Sequence, residues 1–193
     1  MEYVTIGERR KGYTAGTTFL QIAQEYQYQY DNDILLVSVN GKLRELHKTV
    51  DEDCRVEFIT AKDKPGMQAY QRSAKLIMLK AFYEIVGRDQ IEKMSVDFSL
   101  GKGLFVDVKG SFALTQELLC RVKKKMMEYV EQEIPIMKRS VNTDEAVGLF
   151  ERHGMYDKAS LFKYRMSSRV NLYSIGGFEA YFYGYMAQNT GYI

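Results

Sequence analysis

The sequence predicts an α+β fold in two successive units, residues 1–62 and 63–193. Three observations carry this. Up to residue 60, short β-prone runs alternate with one amphipathic helix. A charged Pro-Gly punctuation, Lys62-Asp63-Lys64-Pro65-Gly66, then interrupts the pattern. Beyond it, longer helical repeats alternate with strand pairs, which predicts helices lying on antiparallel strands.

In the first unit, Glu2–Ile6 has strand composition, as does the segment around Lys11–Thr14. Gly7 and the charged residues after it make the hairpin turn between them. Thr18 with Gln21 three residues later is a capping-box pair, in which each side chain satisfies a free backbone N–H at a helix start. Phe19, Ile22, Ala23 and Tyr26 then fall on one helix face. Ile34–Val39 is a continuous apolar run, read as a buried strand. Asn40-Gly41 marks a two-residue hairpin, because both central residues of that turn take positive φ. Lys42–Leu46 returns from it and Arg55–Thr60 closes the unit. Strand, strand, helix, strand, short strand, strand is a β-grasp, ubiquitin-like order.

In the second unit a long helix runs to about Val86, with Met67, Tyr70, Ala74, Ile77, Ala81 and Ile85 on its apolar face and Gly87 ending it. Val96–Leu100 and Leu104–Val108 are strands around Gly101-Lys102-Gly103. Thr115 caps a helix to about Glu131, with Leu118, Leu119, Val122, Met126, Tyr129 and Val130 inward. Pro135–Arg139 is a short strand. Asn142 with Glu145 caps a helix over Glu145–His153, and a short helix passes through Lys158–Phe162. Strand-like Val170–Ile175, a Gly176-Gly177 turn and an aromatic run complete the chain.

Composition excludes several function classes. Lys+Arg 27 against Asp+Glu 25 leaves a net charge of +2, too balanced for nucleic-acid binding by bulk charge, and no DNA partner is expected. Charged residues interrupt the N-terminus, and no run of about 18 apolar residues exists to span a membrane. Cys54 and Cys120 lie far apart, which suits a reduced, cytoplasmic chain. There is no Walker-type phosphate loop and no Gly-x-Ser-x-Gly. Two basic clusters are weak candidates for contacting RNA or nucleotide phosphates: Arg121, Lys123, Lys124 and Lys125, and Arg165 to Arg169.

At this point a resemblance enters. The string Gly16–Ala23, with Val39-Asn40-Gly41-Lys42 and Val56–Thr60, resembles a TGS domain, a module of threonyl-tRNA synthetases, certain GTPases and stringent-response synthetases. Gly103-Leu104-Phe105 with Asp107, Glu145-Ala146 with Phe150, then Gly154, Tyr156, Lys158 and Asn189–Ile193 resemble the second additional domain of threonyl- and alanyl-tRNA synthetases. In those synthetases this domain edits mischarged tRNA with a His-x-x-x-His pair on its first helix and a Cys-x-x-x-His pair before the Asn-Thr-Gly segment. The register implied here puts Gln71 and Lys75 at the helix pair and Phe182 and Met186 at the second pair. Phe offers no donor, Met is too soft for zinc, and Lys brings a positive charge to a cation site. The only histidines are His47 and His153. No zinc and no catalytic residue are expected.

The aromatic Tyr181–Met186 in place of Cys and His resembles the N-terminal half of bacterial uridine-kinase-like proteins. There, TGS and metal-less synthetase-like domains precede an ATP-dependent nucleoside kinase domain. The resemblance implies a non-catalytic accessory or regulatory region that binds nucleotide or structured RNA, or contacts a kinase domain in cis. Lys75, Lys123, Lys124, Lys125, Arg165 and Arg169 are its candidate contacts, and the second domain is expected to be truncated at its C-terminus. The alternative is a freestanding trans-editing aminoacyl-tRNA deacylase.

Overall fold

A computed structural model describes residues 1–100, 103–152, 155–164 and 168–193, the side chains of residues 98–100, 157 and 163 excepted. The expected turn residues Gly101 and Lys102, and His153, Gly154, Arg165 and Ser167, lie outside the described residues. The fold is mixed α and β. It divides into two compact units that interleave in sequence. The first takes Met1–Leu76, Tyr129–Met137 and Tyr183–Ile193; the second takes Ile77–Glu128 and Lys138–Phe182.

The first unit holds a five-stranded mixed sheet. Its strands are β1 (Glu2–Ile6), β2 (Arg9–Tyr13), β3 (Ile34–Val39), β4 (Lys42–Glu45) and β5 (Cys54–Thr60), in the order β2-β1-β5-β3-β4. β1 runs parallel to β5, and the other pairings are antiparallel. Helix α1 (Phe19–Tyr26) buries Phe19, Ile22, Ala23 and Tyr26 against this sheet. Its capping box is complete: the Gln21 amide donates to Thr18 Oγ1 at 3.2 Å, and the Thr18 amide donates to Gln21 Oε1 at 2.9 Å. The β3–β4 hairpin turns on Asn40 (φ 49°) and Gly41 (φ 78°), the two positive values the turn demands.

Helix α2 (Lys64–Val86) starts inside the sequence expected to be a linker, because Pro65 fits a first helical turn, where its missing N–H costs nothing. Ile77 and Ala81 are buried as expected, but in the first turns the buried face differs from the expected one. Met67 is 41% exposed, whereas Gly66, Ala69, Ser73 and Leu76 are buried. Close backbone neighbours explain the shift: a Cβ on Gly66 would stand 1.9 Å from the Thr60 carbonyl oxygen, so small residues occupy this face.

In the second unit, β6 (Ile91–Leu100) and β7 (Gly103–Gly110) form an antiparallel pair, with Lys93 bonded to Asp107 at 2.8 Å. Helix α3 (Gln116–Glu131) begins at Thr115, whose hydroxyl accepts from the Leu118 amide at 3.2 Å. Leu119, expected inward, is 43% exposed; Val122 and Tyr129 are buried. The expected strand Pro135–Arg139 is displaced to β8 (Met137–Asn142), because residues 134–136 instead bond the C-terminal segment within the first unit. Helices α4 (Thr143–Arg152) and α5 (Tyr156–Lys163) pack through Phe150 and Phe162, ring centroids 5.3 Å apart. Strands β9 (Arg169–Ile175) and β10 (Phe178–Tyr181) turn at Gly176 and Gly177 and form a three-stranded sheet in the order β10-β9-β8. No described helix is long and apolar enough to cross a membrane.

Candidate functional site

The C-terminal segment in the first unit lies against α2 and β4. Ser73, fully buried on α2, accepts from the Ala187 amide at 2.9 Å. Its hydroxyl also lies 2.9 Å from the Ala69 carbonyl and 3.5 Å from the Met186 sulfur. One hydroxyl has one proton, and the carbonyl is the better and nearer acceptor, so the sulfur contact is packing. Glu45, 4% exposed at the end of β4, accepts from the Met186 amide at 3.1 Å. The Arg72 guanidinium donates to the Tyr185 carbonyl at 3.3 Å. Residues 185–187 are therefore held through their backbone, by three side chains from two elements.

The segment then locks onto residues 129–136. The Thr190 amide donates to the Ile134 carbonyl at 3.0 Å, and the Ile134 amide returns to Thr190 Oγ1 at 2.8 Å. Thr190 Oγ1 also donates to the Tyr129 carbonyl. Asn189 caps the final turn by accepting from the Gly191 amide at 2.9 Å. Ala187 joins Leu35, Leu36 and Ala69 in an apolar cluster that Tyr185, Tyr192 and Ile193 flank. Burial, with Asp33 and Glu133 nearby, pushes the Tyr192 hydroxyl above its ordinary pKa. The polar atoms of Asn189 and Thr190 are thus engaged in folding the chain end.

Of the four positions registered on the metal pairs, Gln71, Lys75 and Met186 lie in the first unit and do not converge. Gln71 and Lys75 share one face of α2, four residues apart, with Gln71 exposed and Lys75 half-buried. Ser73 sits two residues from each, about 200° round the helix at 100° per residue. Met186, 2% exposed, meets the Ser73 side, so its sulfur and the Gln71–Lys75 pair occupy opposite faces of α2. Phe182 is half-buried and carries no donor atom. An amide and an ammonium on one face of α2 with a thioether on the other do not fit a zinc ion, which takes four converging thiolate, imidazole or carboxylate donors. Among the described residues no group of three or more His, Cys, Asp and Glu could hold a metal.

The basic candidates on α3 and β9 differ in their engagement. Lys123 and Lys124 are exposed on α3. Lys125 is paired with Glu84 at 2.8 Å and Glu128 at 3.3 Å, and the Glu84 bond above all raises its pKa. Arg169 donates to the Ser140 carbonyl at 2.8 Å, to Ser140 Oγ at 3.2 Å and to Asn142 Oδ1 at 3.4 Å, tying β9 to β8. Sequence reasoning missed Glu45, Arg72 and Ser73. It also missed Arg139, which bonds Glu179 at 2.6 Å and Glu145 at 2.7 Å and is held charged by both. A serine among the buried small residues of α2 was the available signal; Glu45, in the polar strand Lys42–Glu45, offered none.

No family model matches the chain. It is similar to the threonine–tRNA ligase of Parabacteroides distasonis, 25% identical over 182 residues, covering 94% of this chain and 28% of that protein. The threonine–tRNA ligase of Polaromonas naphthalenivorans is 27% identical over 183 residues, with the same shares of 94% and 28%. That of Thermotoga petrophila is 25% identical over 187 residues, 96% of this chain and 28% of its own. The chain spans a little over a quarter of the length of the curated relatives it matches.

Proposed function

We propose that this threonyl-tRNA-ligase-like chain is a non-catalytic accessory region: a TGS-type β-grasp module of residues 1–62 followed by an editing-domain-like module of residues 63–193. Its role is to bind structured RNA or a nucleotide, or to contact a nucleoside kinase domain in cis, in the cytoplasm. The strand order β2-β1-β5-β3-β4 with one crossing helix supports the β-grasp reading. The similarity to threonine–tRNA ligases along 94% or more of the chain supports the editing-type ancestry. The observation that carries the non-catalytic part is the divergence at α2. Met186 packs on the Ser73 side, and Gln71 and Lys75 occupy the other. Hydrolysis by a metal-activated water needs its ligands on one side of one cavity.

The test takes the purified chain through metal analysis and a deacylation assay with misacylated threonine tRNA. The expected result is no stoichiometric zinc, no hydrolysis above the blank, and saturable binding of uncharged tRNA or of a nucleoside triphosphate. One zinc equivalent with turnover would overturn it. That outcome would establish the second reading, a trans-editing deacylase, which the breadth of the ligase similarity favours. For the kinase partner, a nucleoside kinase domain encoded in the same reading frame is the expected finding; its absence there removes that partner.

A further inference from the structure

The first unit has a cleft of about 370 Å³ at the start of α1, at the small end of the range for small-molecule sites. Half-buried Val39 contributes the accessible apolar wall and Thr49 a hydroxyl, while Phe19, Val50 and Cys54 lie buried beneath them. Four charged side chains of both signs complete the lining: Arg44 and Lys48, and Asp51 and Glu52. None of the four makes an ion pair with another described group. One Arg44 nitrogen donates to the Leu43 carbonyl, and Asp51 accepts from the Thr49 hydroxyl, which leaves capacity on each.

The wall carrying these charges is fixed by backbone bonds. The Phe19 amide donates to the Lys48 carbonyl at 2.9 Å, the Leu20 amide to Leu46 at 2.8 Å and the Val50 amide to Thr17 at 2.9 Å. The cleft is therefore formed before any ligand arrives, which lowers the entropic cost of filling it. These same bonds consume the first amides of α1, so the helix start is not available as an anion site, and recognition falls to the side chains.

We propose that this cleft binds a free α-amino acid as its zwitterion. Arg44 and Lys48 would take the carboxylate, Asp51 and Glu52 the ammonium, and Val39 the side chain. A ligand with a single charge engages only one of the two pairs. This proposal is independent of the RNA or nucleotide role above.

The test is calorimetric titration of the intact chain with individual free L-amino acids and with their N-acetyl and methyl-ester forms. The expected result is saturable binding of at least one free amino acid with Kd below ~1 mM, weakened at least about tenfold in each capped form, the size of one charge-assisted hydrogen bond. Arg44→Gln and Glu52→Gln, both at exposed positions, should each weaken it by about as much. On the unaltered protein, the bound amino acid should slow maleimide labelling of Cys54 and leave the exposed Cys120 unchanged. Burial, reinforced by Glu52 and Asp53, pushes the Cys54 thiol pKa up, so its labelling is slow enough to follow by mass spectrometry. Failure of every free amino acid to bind or to protect Cys54 overturns the proposal. So does equal affinity for either capped form.

Discussion

Removing the Ser73 hydroxyl should release the C-terminal segment from α2. Ser73→Ala deletes the acceptor for the Ala187 amide, 2.9 Å away, at a residue with no exposed surface. The Ala69 carbonyl loses little, because it already accepts within the helix. The Met186 sulfur loses a packing contact at 3.5 Å. The dominant cost is one buried N–H without a partner, about 1–3 kcal/mol. For a chain of this size each kcal/mol lowers Tm by roughly 2–4 °C. Amide hydrogen exchange followed by mass spectrometry should show faster exchange in residues 183–193 and unchanged exchange in β6 and β7. Calorimetry should show the accompanying fall in Tm. A stability change under ~0.5 kcal/mol, within the usual range of surface substitutions, with tail exchange unaltered, would refute the reasoning.

Other substitutions check neighbouring parts of the argument. Gly66→Ala should destabilise by more than ~1 kcal/mol, despite alanine's better helix propensity, because its Cβ would stand 1.9 Å from the Thr60 carbonyl; urea unfolding measures it. Thr190→Val should cost about 1–3 kcal/mol by leaving the Ile134 amide unpaired, read by the same melt. Tyr13, buried and donating to Glu25 at 3.0 Å, has a pKa raised well above 10, first by burial and then by that bond. A raised folded pKa contributes stability that is complete below the unfolded value near 10 and is lost as pH rises through the folded value. Tyr13→Phe should therefore flatten the fall in Tm above pH ~10, measured against the parent chain.

The first unit was legible wherever a local rule determines geometry. Thr18 and Gln21 must reciprocate if a helix begins there, and Asn40-Gly41 must turn with positive φ; both signals act within four residues. The start of α2 was read less well because hydrophobic periodicity weighs residues by size. Met67, Tyr70 and Ala74 make a stripe on that scale, yet the buried face lies one residue round and meets backbone: the Thr60 carbonyl at Gly66 and the Ala187 amide at Ser73. Close approach selects Gly, Ala and Ser, which such a scale scores as weak. Strand β8 was misplaced for a related reason. Residues 134–136 bond Gln188 and Thr190, more than fifty positions away, and no short window contains that pairing.

The C-terminal segment is also held by bonds that do not depend on its own side chains. A zinc site holds its polypeptide through side chains, so replacing Cys and His would release the strand they anchor. Here the anchors are backbone amides: Met186 to the Glu45 carboxylate and Ala187 to the Ser73 hydroxyl. Such anchors are indifferent to the side chain at 186, where methionine packs against Ser73. Glu45 gains as well, since a carboxylate buried to 4% exposure requires a donor and receives one from the main chain. The identity of residue 186 therefore bears on chemistry, while the position of the segment rests on Ser73 and Glu45. Substitutions at these two should unfasten the tail, and a conservative apolar exchange at Met186 should leave it bound.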